Sequence, residues 1–393
     1  MNFSIPMLAL LAAFVTGCGG GDSNSDVAAL AAARVTRPGE VLFERASRLR
    51  ELATMPAPLR DAWCLVATEP GAAPAPVTTL RDRPYGPDTA SEPFALAVMT
   101  ATAAGLAGDA DARHRLIDLL DQWAEADALT QIERPTANAY YALDRTLLPT
   151  LVAWALLRDA PELTTMPRLR IQAWLQRLDR LRGPERPSTG RGEISGRNNH
   201  HYLRGSVDIA WGALTGDDAS FRLGVAAYLD ALHDMRPDGS LPLETRRRAR
   251  ALWYQRHAIA SLVVIAEIAA TQGVDLYDQT VDGKDLHSAV RFLLDAIDDQ
   301  EHVAGYAWED QAASGRHHPA QDLSFLVRRG HGRHYMAWVE IYLARFPGRP
   351  ESRRLLALLA GTDRSFRPMV DDYAGGATTC FFARPDLAGL PGM

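Results

Sequence analysis

The chain has 393 residues, of which 47% are hydrophobic, so it can bury a sizeable core as one large or two ordinary globular domains. Its formal net charge of -6 excludes a general attraction to nucleic acid or anionic membranes, because such binding requires a basic surface. Lys284 is the only lysine, so we expect any bound anion to meet planar guanidinium groups.

Residues 1–17 are interpreted as an export signal, because no charged residue precedes Asp22 and the apolar run is too short for a membrane-spanning helix. The sequence VTGC is similar to the lipobox of bacterial lipoproteins, which implies acylation of Cys18 and a flexible tether over residues 18–34. We therefore expect a periplasmic lipoprotein of the outer membrane, whose only membrane contact is this lipid. Cleavage without acylation, giving a free periplasmic protein, is the alternative.

Two cysteines remain after this segment, Cys64 and Cys380. In an oxidising compartment they could form a disulfide bond between the two ends of the chain, or both could be buried free thiols. The sequence leaves the two alternatives open.

A loop is predicted over residues 66–93, which are rich in proline, alanine, glycine and threonine. Arg81, Arg83 and Tyr85 lie in its second half. A loop of this length is either a solvated linker or a lid over a binding site.

Helices are predicted from about residue 35 onward. The sequence LHSAVRFLLDAI, which starts at Leu286, repeats apolar residues at helical spacing. AIASLVVIAEIAATQG, which starts at Ala258, is apolar nearly all round and too short to span a bilayer, so it predicts a buried central helix. Similar stripes occupy residues 93–107, 113–127, 145–158, 167–182, 219–235 and 336–346, and only residues 371–383 show strand-like alternation.

This pattern predicts a single all-α domain over residues 35–393, because no linker is long or polar enough to separate two domains. About ten or more helices joined by short turns can form a bundle, a superhelix of hairpins or an α/α toroid. A repeat of 30 to 45 residues is absent, which argues against a solenoid. We expect a monomeric α/α toroid, an incomplete α/α barrel, because its concave middle suits a polymer.

Neutral hydrogen-bonding residues are concentrated in SGRNNHHYLRG, residues 195–205, without a carboxylate or cysteine. One asparagine, Asn198 or Asn199, is expected to cap the helix that follows. His200 could be an ordinary core histidine, but capping and packing do not explain the whole cluster.

Arginines and a tyrosine are concentrated in LPLETRRRARALWYQRH, residues 241–257. Arg247, Arg250 and Tyr254 have spacings that place them on one side of a helix. Guanidinium groups beside a phenol can bind a carboxylate next to a proton-transfer group. The alternative is a solvated helix face.

A third cluster, GRHHPAQDLSFLVRRGHGRHYMAWVE, contains histidines and arginines. His331 and His334 are three residues apart, but neither an HExxH motif nor a cysteine pair accompanies them, so we expect no metal. We interpret the cluster, which also includes His317, His318 and Arg333, as a basic, solvated rim.

Together these segments resemble the alginate lyases of polysaccharide lyase family 5, the periplasmic mannuronate-lyase type. The family motifs NNHxYW and LPNELxRxxRALxY correspond to NNHHYL and LPLETRRRARALWY here, in the same order and at matching separations. The segments WAEADAL, GVDL and AWVEIY also resemble family segments, so the resemblance covers roughly residues 60–383. Leu203, Leu243 and Pro84 depart from the family pattern at positions where a sugar could be touched.

The resemblance implies β-elimination on a 4-linked uronic-acid polymer, an anionic polysaccharide, without a cofactor. Arg247, Asn199 and His200 would neutralise the uronate carboxylate, and Tyr254 would remove the C5 proton and protonate the leaving O4. His200 could instead act as a base on the opposite face of the sugar. Tyr85, Arg83, Asn198, Tyr202 and Arg250 are expected to contact the substrate.

Alginate, as polymannuronate, is the expected substrate, and polyglucuronate or another uronan is the alternative. An inverting glycoside hydrolase on the same toroid would need two carboxyl groups, for which Glu244, Glu309 and Asp310 are candidates. A non-catalytic polysaccharide-binding lipoprotein is the remaining alternative.

Overall fold

A computed structural model describes residue 30 and residues 32–65, 74–81, 91–183, 192–309 and 320–385. In chain order its longer helices are α1 (Arg45–Thr54), α2 (Ala57–Cys64), α3 (Ser91–Leu106), α4 (Ala110–Glu125), α5 (Ala137–Leu157), α6 (Thr165–Leu181), α7 (Asn199–Thr215), α8 (Asp218–Asp234), α9 (Pro242–Thr245), α10 (Ala251–Thr271), α11 (Leu286–Asp298), α12 (Glu301–Ala307), α13 (Trp338–Arg345), α14 (Pro350–Thr362) and α15 (Thr378–Phe382). Two short strands, β1 (Thr79–Leu80) and β2 (Gln131–Ile132), pair in parallel.

The helices form an inner ring with an outer layer. A closed series of contacts runs through α2, α3, α5, α7, α10, α13 and α15 and returns to α2. The outer helices pack on this series: α4 against α3, α8 against α7, α11 against α10, and α14 against α11 and α13. This arrangement is the predicted all-α toroid.

Hydrophobic patterning explains which helices lie inside. The predicted central helix is confirmed as α10, in which every residue from 255 to 269 is buried. The outer helix α11 buries one stripe, including Leu286, Val290 and Leu293, and leaves Arg291 exposed. In the ranges given above, no helix combines the length and apolar character needed to cross a lipid bilayer.

The ring is closed covalently where its first and last helices meet. Cys64 at the end of α2 and Cys380 within α15 form a disulfide bond across a sequence separation of 316 residues. The structure therefore contains the disulfide bond and not two free thiols.

The strand-like pattern over residues 371–383 does not form a strand, so that prediction is wrong. The segment forms a short 3-10 helix, Asp372–Ala374, then an isolated bridge between Asp371 and Gly376, and then α15. Every residue of the segment is buried, and the 3-10 helix contacts α3, α5 and α10. Polar and apolar residues are therefore buried alike, and their alternation does not mark a solvent face.

Candidate active site

The first turn of α7 carries the asparagines and histidines of the NNHHY cluster. Asn198 is the N-cap, and its Oδ1 accepts a hydrogen bond of 3.0 Å from the backbone N–H of His200. The expected cap is therefore confirmed, and Asn198 is 3% exposed. His201 points to a different neighbour, because its Nε2 lies 2.9 Å from Asp230 Oδ2.

Asn199 is held at two points and is almost completely buried. Its backbone N–H donates to Glu244 Oε1 at 2.6 Å, and its Nδ2 donates to the Tyr141 hydroxyl at 2.8 Å. Its Oδ1 has no hydrogen-bond partner among the described residues. Because a hydroxyl both donates and accepts, Tyr141 can hold either end of the amide, and the other end stays available to a ligand.

His200 stacks on an aromatic ring from the neighbouring inner helix. The imidazole and Tyr141 ring centroids are 4.0 Å apart with an interplanar angle of 17°. The Tyr141 ring in turn packs on Tyr373 of the 3-10 helix Asp372–Ala374, which we call the central 3-10 helix, with ring centroids 5.9 Å apart. Burial together with Tyr373 raises the pKa of Tyr141 well above its usual value. The stacking fixes the plane of His200 beside Asn199.

Arg247 and Tyr254 meet although they are not on one continuous helix. A 3-10 turn, Arg248–Arg250, separates Arg247 from the start of α10 at Ala251. The Arg247 guanidinium carbon lies 4.7 Å from the Tyr254 ring centroid, and its Nε donates to the Leu243 carbonyl at 3.1 Å. The predicted guanidinium–phenol pair is therefore present.

Arg250 precedes the start of α10 and follows the break at Arg248, so the prediction of one continuous helix face with Arg247 and Tyr254 is wrong. Arg248 has a positive φ of 52°, which interrupts the helical path on which the spacing argument depended. The Arg250 side chain is 64% exposed, and its Nε lies 3.9 Å from Asp322 Oδ2. Arg250 belongs to the solvated surface.

His257 joins Tyr254 to the central 3-10 helix. Its ring centroid lies 5.7 Å from that of Tyr254 and 4.4 Å from that of Tyr373. Burial lowers the pKa of His257 well below its usual value, and the charges of Arg256 and Arg145 lower it further. His257 is therefore a neutral imidazole, and its Nδ1 has no partner in the described part of the chain.

These contacts form a closed circuit, which we call the site ring. It consists of Asn199, His200, Tyr141, Tyr373, His257, Tyr254 and Arg247, and Glu244 joins Arg247 to Asn199. The four residues predicted to be catalytic therefore converge on one place. The ring offers a guanidinium, an amide and imidazoles next to a phenol, a set that can neutralise a carboxylate and move a proton beside it.

Glu244 is a buried acid at the end of the short helix α9. Its side chain is fully buried, and Oε2 has no hydrogen-bond partner among the described residues. Burial raises the pKa of Glu244 to about 7, although Arg247 and the Asn199 N–H act in the opposite direction. Glu309, the other described hydrolase candidate, pairs with Arg236 and Arg246 at the surface.

Behind the site ring lies a buried charge cluster of Glu92, Arg145, Arg333 and Asp372. Asp372 accepts hydrogen bonds from both arginines, and each arginine also pairs with Glu92. Burial opposes the charge of Arg145, but Asp372, Tyr373 and Glu92 outweigh it and raise its pKa well above the usual value. Arg145 lies 4.8 Å from the Tyr373 ring, so the cluster adjoins the site ring.

The prediction of a solvated basic rim is wrong for Arg333 and His334 of the third cluster, whereas His331 is exposed. Arg333 is buried within the charge cluster, and His334 is fully buried. Burial and a neighbouring arginine lower the pKa of His331 and of His334 to about 4. The described residues contain no group of three histidine, cysteine or acidic side chains placed to hold a metal, and His317 and His318 lie outside them.

A second acid, Asp371, adjoins this cluster. Burial and the Asp372 carboxylate raise its pKa well above the usual value, and Arg256 Nη1 lies 3.9 Å from its Oδ2. The raised pKa of Asp371 favours its neutral form, which lessens the negative charge that faces Arg145, Arg256 and Arg333. Arg145 and Arg256 lie 4.8 Å and 5.6 Å from the Tyr373 ring centroid, so guanidinium groups adjoin the site ring.

Two further predictions need correction, and three residues are not described. Tyr202 is 2% exposed and Leu203 is fully buried, and both belong to the hydrophobic core rather than to the site ring. Their positions on α7 face the interior because the helix is buried on most sides. Arg83, Tyr85 and Cys18 lie outside the described residues.

Sequence reasoning missed Tyr141, Tyr373 and His257, and it considered Glu244 only as a hydrolase candidate. His257 follows Tyr254 by three residues on α10, so helical spacing could have found it. Tyr141 and Tyr373 are brought to the site by the ring of helices and by the central 3-10 helix. No local signal in the sequence marks them.

Comparison with a family model gives a match named Alginate lyase over residues 89–303. A polysaccharide lyase from Stenotrophomonas maltophilia strain K279a is 36% identical over 176 residues, which cover 43% of this chain and 50% of that protein. An alginate lyase from Azotobacter chroococcum is 28% identical over 262 residues, covering 63% and 62%. The chain thus spans about half to three-fifths of the length of these relatives.

Solved structures also resemble this chain. Alginate lyase A1-III from Sphingomonas species A1 aligns with a TM-score of 0.73 and 25% identity, covering 91% of this chain and 99% of that one. A tyrosine-to-phenylalanine variant of alginate lyase A1-III, complexed with a tetrasaccharide, aligns with a TM-score of 0.72 and 26% identity. A histidine-to-alanine variant with a tetrasaccharide gives a TM-score of 0.72 and 25% identity.

Proposed function

Because the chain belongs to the alginate lyase family, we propose that it cleaves a 4-linked uronic-acid polymer by β-elimination. Polymannuronate is the proposed substrate, and the product is an oligosaccharide with a C4–C5 double bond at its new non-reducing end. The closed circuit of the site ring carries this proposal, since it joins the guanidinium–phenol pair to Asn199 and His200.

The first requirement of the reaction is to neutralise the uronate carboxylate. The C5 hydrogen beside a charged carboxylate is weakly acidic, because its removal adds a second negative charge. Arg247 can pair with the carboxylate, and the free end of the Asn199 amide can donate to it once Tyr141 holds the other end. The arginines near Tyr373 add positive charge, so the developing acid dianion is stabilised in place.

Tyr254 is proposed to move the proton. As phenolate it takes the C5 hydrogen, the C5–H electron pair forms the C4=C5 bond, and the C4–O4 bond breaks. The protonated phenol then donates the same proton to the leaving O4, so the enzyme returns to its starting state. The Arg247 guanidinium carbon lies 4.7 Å from the Tyr254 ring centroid, so a positive charge stands beside the reacting groups during the step.

His200 is proposed to bind the carboxylate rather than to act as base. Its stack on Tyr141 fixes the imidazole plane next to Asn199, on the side of the site ring that faces the carboxylate in this proposal. Two solved structures of one relative, alginate lyase A1-III, support the importance of a histidine and a tyrosine, since one of these residues was replaced in each complex with a tetrasaccharide. The two replaced positions are as far apart in sequence as His200 and Tyr254 are here.

The alternative of an inverting hydrolase has less support. That chemistry needs two carboxyl groups about 6.5 to 9.5 Å apart across the sugar. Glu244 is buried and bonded to Asn199, and Glu309 is paired with two arginines at the surface. Asp310 lies outside the described residues.

The test is to incubate the purified protein with polymannuronate, polyguluronate and polyglucuronate and to follow the ultraviolet absorbance of the new double bond. We expect the largest rate with polymannuronate. A larger rate with polyglucuronate would overturn the substrate and keep the chemistry. Shortened chains without absorbance would support the hydrolase, and binding without shortening would support the non-catalytic protein.

We also propose that the protein is exported and acylated at Cys18. The disulfide bond between Cys64 and Cys380 supports export, because such bonds persist in oxidising compartments. Growth of the host with a labelled fatty acid tests acylation. Label should appear on the wild-type protein and be absent from Cys18→Ser, and an unlabelled wild-type protein would refute the anchor.

A further inference from the structure

The two halves of the site ring come from separate parts of the chain. Asn199 and His200 begin α7, whereas Arg247 and Tyr254 flank the start of α10. The chemistry proposed above requires these halves to be aligned, because a misplacement of about 1 Å can cost on the order of 10² in rate. A group that fixes the start of α7 relative to Arg247 therefore controls catalysis without touching the substrate.

Glu244 is the side chain that spans this gap. Its Oε1 accepts the backbone N–H of Asn199 at 2.6 Å, across 45 residues of sequence. The N–H groups of a helix's first turn have no partner within the helix, so this bond fixes a backbone group that would otherwise be free. In the same turn Asn198 Oδ1 takes the N–H of His200, so the catalytic pair is fixed at both backbone nitrogens.

The position of Glu244 links this bond to Arg247. Glu244 lies in α9, three residues before Arg247, and the Arg247 Nε is held by the carbonyl of Leu243 in the same helix. The short helix therefore holds the guanidinium with its backbone and the start of α7 with its acid side chain. Arg247 and Asn199 are consequently both held by α9.

Burying a carboxyl group at this position lowers the stability of the fold, so its presence calls for a functional reason. Glu244 is fully buried, and Oε2 has no hydrogen-bond partner among the described residues. Buried polar groups are almost always paired, so an unpaired carboxyl oxygen needs an explanation. A leucine of similar volume would pack without this penalty, but it could not accept the Asn199 N–H.

We propose that Glu244 is a positioning residue of the lyase, which aligns Asn199 and His200 with Arg247 and Tyr254 through its bond to the Asn199 backbone. This inference rests on the proposed function. Glu244 is fully buried and acts through the Asn199 backbone, so its loss should slow turnover more than it weakens binding.

The experiment compares Glu244→Leu, Glu244→Gln and Glu244→Asp in the double-bond assay on polymannuronate. We expect Glu244→Leu to lower kcat by about 10- to 100-fold with a much smaller change in KM. Glu244→Gln retains an oxygen acceptor and should restore most of kcat. Glu244→Asp shortens the side chain by one methylene and should give an intermediate kcat, which keeps the test decisive if the leucine variant does not fold.

Glu267→Leu is the matched control. Glu267 is a second buried glutamate, paired with Arg345 and Tyr277 at the far end of α10, roughly 20 Å along the helix from Tyr254. Its replacement should lower thermal stability and leave kcat of the folded protein unchanged. A merely structural role for Glu244 would give the same result as this control.

The outcomes separate this inference from the function itself. A wild-type protein that produces no unsaturated sugar from any uronan overturns both. An active wild type together with unchanged kcat in Glu244→Leu, or in Glu244→Asp, overturns the positioning role alone. Failure of Glu244→Gln to exceed Glu244→Leu would also overturn it, because the acceptor oxygen would then be irrelevant.

Discussion

The buried polar side chains at the two ends of α10 differ in how completely they are hydrogen-bonded. At the end that carries Tyr254, His257 Nδ1 and two guanidinium nitrogens of Arg256 lack partners within the described residues. At the other end Glu267 accepts two hydrogen bonds from Arg345 and one from the Tyr277 hydroxyl. Since unpaired buried groups are costly, their presence beside Tyr254 indicates an end shaped for a ligand, and the paired end stabilises the fold.

Removing one tyrosine hydroxyl at each end of α10 should give the largest difference between the two ends. Tyr254→Phe should lower turnover by about 10² to 10⁴, because it removes the proposed proton-transfer group. Tyr277→Phe is the matched change, and it should lower the melting temperature and leave turnover unchanged. The double-bond assay and thermal unfolding measure both effects. Near-normal turnover in folded Tyr254→Phe would remove this residue from the mechanism.

Replacing Arg247 and Arg250 one at a time tests whether the contact with Tyr254 or the spacing in the sequence decides which arginine matters for kcat/KM. Arg247→Leu should lower kcat/KM by about 10² to 10³, since the charge opposite the developing dianion is lost. Arg250→Leu should have little effect, because its side chain is 64% exposed and its Nε lies 3.9 Å from Asp322 Oδ2. Equal losses in the two variants would show that Arg250 contacts the substrate after all.

The disulfide bond that closes the ring of helices is a further stabilising feature, and its removal should affect stability rather than turnover. Replacing both Cys64 and Cys380 with alanine should lower the free energy of unfolding by about 2 to 5 kcal/mol, because the bond joins residues far apart in sequence. Turnover of the folded variant at low temperature should match the wild type. Denaturant unfolding measures the first effect. Lost activity in a variant that remains folded would show that ring closure shapes the site.

The smallest predicted effect is a pH dependence of stability from Glu244. Burial raises its pKa from 4.5 to about 7 in the folded protein. The unfolded chain therefore ionises this group first as pH rises, so the stability that Glu244 contributes below about pH 4.5 is lost by about pH 7. The loss is about 3 kcal/mol at most. Melting temperatures across this range should show a component that is absent from Glu244→Gln, and parallel curves would contradict it.

The sequence predicted the parts of the molecule that local patterns encode. Apolar periodicity located α10 and α11, and the NNHHY and arginine segments identified Asn199, His200, Arg247 and Tyr254. It failed where geometry depends on a single backbone angle or on distant chain segments. The positive φ of Arg248 breaks the helical path on which the spacing of Arg250 depended, and the buried course of residues 371–383 places Tyr373 against His257.

The prediction that Arg333 is solvated fails for the same reason. Its cluster of histidines and arginines looked solvated, because the sequence does not show that Glu92 and Asp372 lie against it. Only the closed ring of helices brings these acids together, from α3 and from the central 3-10 helix. Charge patterns indicate a surface reliably only when the partners of each charge are local in sequence.

The most direct test of the central claim is the product itself. Polymannuronate incubated with the wild-type protein should yield, by proton NMR, an olefinic H4 signal from an unsaturated terminal ring, and Tyr254→Phe should yield it at least about 10²-fold more slowly. Shortened chains that carry only saturated ends would contradict β-elimination by the site ring.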